Sequence, residues 1–223
     1  MRNIKKTNEN SLINEFIQIF KSEINKKNAL KKRLSFVLTG GASPKKLYKA
    51  LAKAKIDWKN IDLFWGDERF VSKNSNNSNF KLVNNLLLKK INIKKKNIFP
   101  FKTNKIKIEI SAKKYAKDIK RYFRKKNISF DICLLGMGSD GHVASIFPNS
   151  NDLKEKFIVK PILRKDFKRL SLGINIINDS KKIFLWLNSK SKYLIYKKLK
   201  SKGKKIPVNN LKKSRLFCFS VYK

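Results

Sequence analysis

The sequence predicts an α/β fold: a mostly parallel sheet with helices on both faces, in a single domain over residues 1–223. Three observations carry this. Nearly all-apolar runs of strand length recur along the chain, as expected for strands buried on both faces. Amphipathic segments with helical spacing separate them. Several of the apolar runs also break directly into glycine-rich or charged loops, which is how strands end where an open α/β sheet meets a ligand. No Gly/Ser/Pro-rich linker and no internal repeat divides the 223 residues, a length suited to one large domain.

Leu12, Phe16, Ile19, Phe20 and Ile24 fall on one face of a helix. Leu34 to Thr39 reads as a strand ending at Gly40-Gly41. Pro44 to Ala54 reads as a helix with Leu47, Tyr48 and Leu51 inward. A strand from Ile61 to Trp65 and a helix from Ser78 to Leu88 follow, then a Lys/Asn-rich loop around 89–97. Ser111 to Arg124 is a helix with Tyr115, Ile119 and Tyr122 inward, and Phe130 to Leu135 is a strand ending at Gly136. Leu170 to Ile174, Ile183 to Leu187 and Leu216 to Val221 are the later strands, with a helix at Ser191 to Leu199 between the last two.

Composition removes whole classes of function. Hydrophobic residues at 41% and aromatics at 11% argue against a disordered chain. The longest apolar runs span a few residues, against the ~20 that a membrane helix needs. Met1 to Phe16 lacks the apolar core of a signal peptide, so export is not expected. Cys133 and Cys218 lie among Ile, Leu and Phe and read as reduced core residues, not as a disulfide, redox pair or metal site. With one histidine in the chain, metal sites that need two or three imidazoles are excluded, so no metal is expected.

The net charge of +40 suggests a nucleic-acid partner, but its make-up argues otherwise. The chain has 47 Lys and only 8 Arg, alongside 24 Asn and 25 Ile. Lys, Asn and Ile all have AT-rich codons, and the lysines are spread over the whole length. A dedicated binder gathers its cations on one face and uses Arg for bidentate contacts. No specific nucleic-acid partner is therefore expected. The same field would draw a small anionic substrate toward the protein.

Three loops after strands hold the candidate chemistry. Thr39-Gly40-Gly41-Ala42-Ser43-Pro44 opens a helix; Ser43 suits the N-cap and Pro44 the first turn, so free N–H groups there can hold an anion. An ordinary tight turn is the alternative. Asp67-Glu68-Arg69 places two of the chain's 15 acids beside a cation at a strand end. It is either a surface ion pair or a site in which the carboxylate orients a base or holds a sugar hydroxyl and the arginine binds phosphate. Gly136-Met137-Gly138-Ser139-Asp140-Gly141-His142 puts the only histidine beside an aspartate in a glycine-rich turn after a buried strand. That context favours a catalytic histidine over a structural one.

These three segments, with Val143-Ala144-Ser145-Ile146-Phe147-Pro148 after the histidine, resemble those of the 6-phosphogluconolactonases in order and spacing. The related glucosamine-6-phosphate deaminases share the Asp-Gly-His element, but Asp67-Glu68-Arg69 and Ala144 to Pro148 are more like the lactonases. The resemblance implies a Rossmann-like sheet and a soluble cytoplasmic enzyme without an organic cofactor. The implied reaction is hydrolysis of 6-phospho-D-glucono-1,5-lactone in the oxidative pentose phosphate pathway; a deaminase-like sugar-phosphate isomerase is the alternative.

The resemblance makes His142 the catalytic histidine, Asp67 the acid at the rim, and Gly40, Gly41 and Ser43 the sugar-phosphate loop. Arg169 and Lys192 fall where the family has basic residues near the phosphate, with Arg164 competing with Arg169. His142 is then the general base for an attacking water, oriented by Asp67 in first place or by Asp140, which can instead hold its own turn. Backbone N–H groups of 138–141 and the Arg69 side chain are the candidate oxyanion donors. The expected partner is a small anionic sugar-phosphate lactone, and the expected assembly a monomer or weak homodimer.

Overall fold

The computed structural model describes residues 1–124 and 127–223. Its strands are β1 (Arg2–Lys6), β2 (Leu34–Leu38), β3 (Ile61–Trp65), β4 (Asp67–Arg69), β5 (Ile98–Phe99), β6 (Ile132–Leu135), β7 (Val159–Leu163), β8 (Lys168–Leu172), β9 (Lys182–Leu187) and β10 (Leu216–Val221). Its helices are α1 (Glu9–Ala29), α2 (Lys45–Lys53), α3 (Asn79–Leu86), α4 (Ile108–Tyr122), α5 (Ile174–Asp179) and α6 (Lys190–Lys200).

Seven strands form one parallel sheet in the order β1-β10-β9-β6-β2-β3-β5. β2, β3 and β6 are buried at every position, as strands covered on both faces must be. The aromatic contacts identify the covers. Phe16 and Phe20 of α1 meet Phe36, Phe184, Trp186 and Phe219 on one face. Phe64, paired with Val37 and so on the opposite face from Phe36, meets Tyr122 of α4. Among the described residues no helix is long and apolar enough to cross a membrane.

A second sheet of three antiparallel strands, in the order β4-β8-β7, corrects the sequence reading twice. Asp67 to Arg69 is a short strand and not a loop. The strand expected at Leu170 to Ile174 is shifted to Lys168–Leu172, outside the main sheet, because Gly173 ends it and Ile174 begins α5. β7 escaped detection because Pro161 interrupts it; an edge strand tolerates that proline because a missing N–H costs no ladder bond on its open side. β1 escaped because Ile4 is its one buried residue, leaving no period to read.

The chain builds β2, β3 and β5 outward in one direction, then β6, β9 and β10 in the other. The carboxyl ends of β2 and β6 therefore flank the point where the strand order reverses, where adjacent loops diverge and leave a crevice. Two tyrosines close the sheet backbone at this edge. The Tyr48 hydroxyl donates to the Thr39 carbonyl at 2.5 Å and accepts from the Thr39 N–H at 3.1 Å. The Tyr115 hydroxyl does the same for Trp65, at 3.2 and 2.8 Å. Burial pushes both phenols far above their ordinary pKa, so they stay neutral and can serve a donor and an acceptor at once.

Candidate active site

The loops after β2 and β6, strands β4 and β8, and the first turn of α6 line one cleft of ≈ 250 Å³. Gly40, Gly41, Ser43, Asp67, Arg69, His142, Arg169 and Lys192 line it, and Asp140 stands directly behind His142.

Asp140 Oδ1 lies 2.6 Å from His142 Nδ1 and also accepts the His142 N–H at 3.1 Å. Two contacts from one carboxylate fix the backbone of the histidine and its Nδ1. Burial pushes the Asp140 carboxyl up, but its hydrogen bonds to the His142 side chain and backbone outweigh this and hold it below the usual carboxylate range. Asp140 therefore stays ionised and Nδ1 carries a proton, leaving Nε2 as the basic nitrogen. Gly138 is required here, because a Cβ at that position would sit 2.1 Å from His142 Nδ1.

Asp67, expected first as the orienting acid, does another job. Its Oδ2 accepts from Ser145 Oγ at 2.7 Å, and Asn79 Nδ2 donates to its Oδ1 at 3.3 Å and to its backbone carbonyl at 3.0 Å. These bonds hold Asp67 beside the cleft with acceptor capacity to spare. The sequence alone assigns no role to Asn79 or Ser145. Asn79 is the first residue of a short helix, and its only sequence signal is a polar residue at a position the fold buries.

Glu68, the neighbouring acid, is structural. It accepts from the backbone N–H groups of Arg69, Asn79 and Phe80 and from Ser78 Oγ, and so anchors the N-terminus of α3 to β4.

On the loop after β2, the structure differs from the expected cap. α2 starts at Lys45, with Pro44 at the cap position and no side-chain cap bond. Ser43 is therefore left facing the cleft, and the N–H groups of Gly41, Ala42 and Ser43 donate to no protein acceptor among the described residues. A Cβ on Gly40 would fall 1.9 Å from Asn79 Oδ1, so glycine is needed for the loop to lie over that amide.

The cations converge on the same cleft. Arg69 and Arg169 are directly opposite each other in the β4–β8 register. Each has a buried Nε without a protein partner. Arg69 also donates to the Asn77 carbonyl, and Arg169 pairs with Asp166. Like charges facing each other across a ladder are unfavourable unless an anion lies between them. Lys192 donates to the Met137 carbonyl at 2.7 Å, which pins its ammonium at the cleft. Arg164 does not line the cleft. Two of the expected oxyanion donors are already used, since the Gly138 N–H goes to the His142 carbonyl and the Gly141 N–H to the Gly138 carbonyl.

Residues 7–218 match the family model for glucosamine-6-phosphate isomerases/6-phosphogluconolactonase. The chain belongs to this family. Within it, the chain is similar to the 6-phosphogluconolactonase of Synechocystis sp., at 32% identity over 189 residues covering 83% of this chain and 79% of that one. It is also similar to the 6-phosphogluconolactonase of Thermotoga maritima, at 31% identity covering 82% of each. The crystal structure of a Thermotoga maritima 6-phosphogluconolactonase superposes with a TM-score of 0.83 at 26% identity, covering 97% of this chain and 98% of that one. A monomeric glucosamine-6-phosphate deaminase reaches the same TM-score of 0.83 at 22% identity, covering 98% and 96%; that likeness shows the fold alone. Within this family it is the side chains of the cleft that decide between the two chemistries.

Proposed function

We propose that the protein hydrolyses 6-phospho-D-glucono-1,5-lactone to 6-phospho-D-gluconate, the lactone-opening step of the oxidative pentose phosphate pathway, with His142 as general base. The observation that carries this reading is the meeting, in one cleft, of an imidazole held by an ionised carboxylate with the Gly41–Ser43 N–H groups, Arg69, Arg169 and Lys192.

A lactone carbonyl is electrophilic, so an activated water is enough to open it. His142 Nε2 takes a proton from water as the water oxygen bonds to C1. The tetrahedral intermediate collapses with cleavage of the C1–O5 bond, and the imidazolium returns its proton to the departing ring oxygen. Asp140 holds the tautomer and stabilises the imidazolium. The phosphate binds the Gly41–Ser43 N–H groups at the start of α2, with Lys192 and the Arg69–Arg169 pair, and fixes C1 relative to Nε2. Asp67, freed from orienting the histidine, accepts a sugar hydroxyl.

We read residues 1–223 as one domain, since β1 and β10 at the two ends of the chain pair with each other in the main sheet. We also propose a cytoplasmic setting and a monomer or weak homodimer. The buried free thiols Cys133 and Cys218, pushed by burial up to about 12 and about 11, suit a reducing compartment.

The test is to supply freshly generated lactone to the purified protein and follow acid release above the spontaneous rate. Release far above that rate is expected, with no ammonia from glucosamine 6-phosphate. Ammonia release without lactone hydrolysis would reverse the assignment toward the deaminase chemistry.

A further inference from the structure

We infer that Phe147 is a positioning residue for His142, its ring lying against the imidazole while the Arg164 guanidinium stands over that same ring. The inference rests on the reading of His142 as the general base.

The local chain course creates the contact. Val143 and Ile146 form an isolated antiparallel bridge, and Ala144 between them adopts a left-handed φ of 49°. This tight reversal brings Phe147 back onto the histidine five positions before it. The two ring centroids are 4.7 Å apart with the planes at 39°. Phe147 is buried at 8% exposure, whereas the His142 side chain is 32% exposed.

The imidazole needs this neighbour. Its hydrogen bond to Asp140 fixes Nδ1 but leaves the ring free to rock about the Nδ1···Oδ1 axis. A flat apolar wall limits that rotation and offers no polar atom to compete for Nε2. The wall is itself fixed from the far element. The Arg164 Cζ lies 4.2 Å from the Phe147 centroid, and that of Arg169 5.6 Å. Arg164 sits at the tip between β7 and β8, is exposed, and does not line the cleft. Its effect on the reaction therefore passes through Phe147, and the two residues tie the β7–β8 hairpin to the loop that carries the base.

The only histidine of the chain makes the contact directly observable, because the protein has a single set of imidazole proton resonances. In the parent protein these resonances should show nuclear Overhauser contacts to a phenylalanine ring and a ring-current displacement. Phe147→Leu should abolish both. It should lower kcat by about tenfold with KM within about threefold of the parent, the pattern of a misaimed base with intact substrate binding. Phe147→Tyr, which keeps the ring, should restore kcat. Arg164→Gln, an exposed change that leaves folding unaffected, should give a smaller loss confined to kcat.

Phe147→Leu with kcat within about twofold of the parent, beside an inactive His142→Ala, would overturn the positioning role and leave the base assignment standing. Arg164→Gln that raises KM at unchanged kcat would overturn the coupling through Phe147 and make Arg164 a substrate contact. An active His142→Ala enzyme would remove the base assignment and this inference with it.

Discussion

Asp140 Oδ1 and His142 Nδ1 are 2.6 Å apart, two residues from each other in a turn that the glycines at 138 and 141 allow to close. The same carboxylate accepts the backbone N–H of the histidine, so one acid holds both the main chain and Nδ1 of His142. His142→Ala is expected to lower kcat by about 10²- to 10⁴-fold, the usual worth of a general base. Asp140→Asn keeps the shape but removes the charge that fixes the tautomer, and should cost about 10²-fold. Steady-state kinetics above the spontaneous rate check both; an Asp140→Asn enzyme with parental kcat would return the orienting role to another acid.

The facing pair Arg69 and Arg169, with Lys192, should act on substrate binding. A phosphate contact is present in the ground state and the transition state alike, so Arg169→Gln and Lys192→Ala should raise KM more than they lower kcat. The efficiency kcat/KM of the parent should fall with added salt, as the Debye length shrinks to ~8 Å at physiological ionic strength. Lys→Gln changes on outward helix faces should leave KM unchanged. If Lys192→Ala also leaves it unchanged, Lys192 does not hold the phosphate.

Gly40→Ala should place its methyl group 1.9 Å from Asn79 Oδ1, displacing either the loop after β2 or the amide that braces Asp67. We expect a rise in KM and a loss of thermal stability. Asn79→Ala opens the space, so the double variant should be less impaired than the sum of the two single changes. Strict additivity in that double-mutant cycle would show that the two side chains do not compete for this volume.

Asp131 gives a stability prediction independent of catalysis. It accepts from the Ser35 N–H at 2.9 Å and Ser35 Oγ at 3.1 Å, and pairs with Lys27 at 2.6 Å and Lys181 at 2.9 Å. Burial pushes its carboxyl up, but Lys27, the Ser35 N–H and Lys181 outweigh that and hold it below the usual range. A depressed folded-state pKa means stability that is present above the ordinary value and lost as pH falls through the folded one. Asp131→Asn should cost about 2 kcal/mol near neutral pH, because it leaves the buried Ser35 donors poorly matched and the half-buried Lys27 without its counter-charge. The gap to the parent should narrow below about pH 4, where the unfolded parent chain begins to take up the proton that the folded carboxylate still resists. Urea unfolding across that range measures it, and a pH-independent gap would contradict the assignment.

The parallel sheet and the loops that line the cleft are legible from the residues alone. β2, β3 and β6 are buried on both faces, so burial demands unbroken apolar runs, and such runs are legible without contacts. The Gly136 to His142 turn is legible for the same reason: a buried strand that breaks into glycines has few local readings. Which acid bonds to the histidine depends instead on how the chain packs in three dimensions. Asp67 and Asp140 are both carboxylates near strand ends, and sequence spacing cannot tell which one points at Nδ1. Asp67, paired with Ser171 in the β4–β8 ladder, bonds to Ser145 and Asn79 instead. The same ladder sets Arg69 against Arg169 across 100 residues of chain, a pairing fixed by an antiparallel register that local periodicity does not encode. Asn79, Ser145 and Phe147 stayed silent as contacts because a side chain's partner across the fold depends on packing, whereas strand and helix patterns depend only on neighbours along the chain.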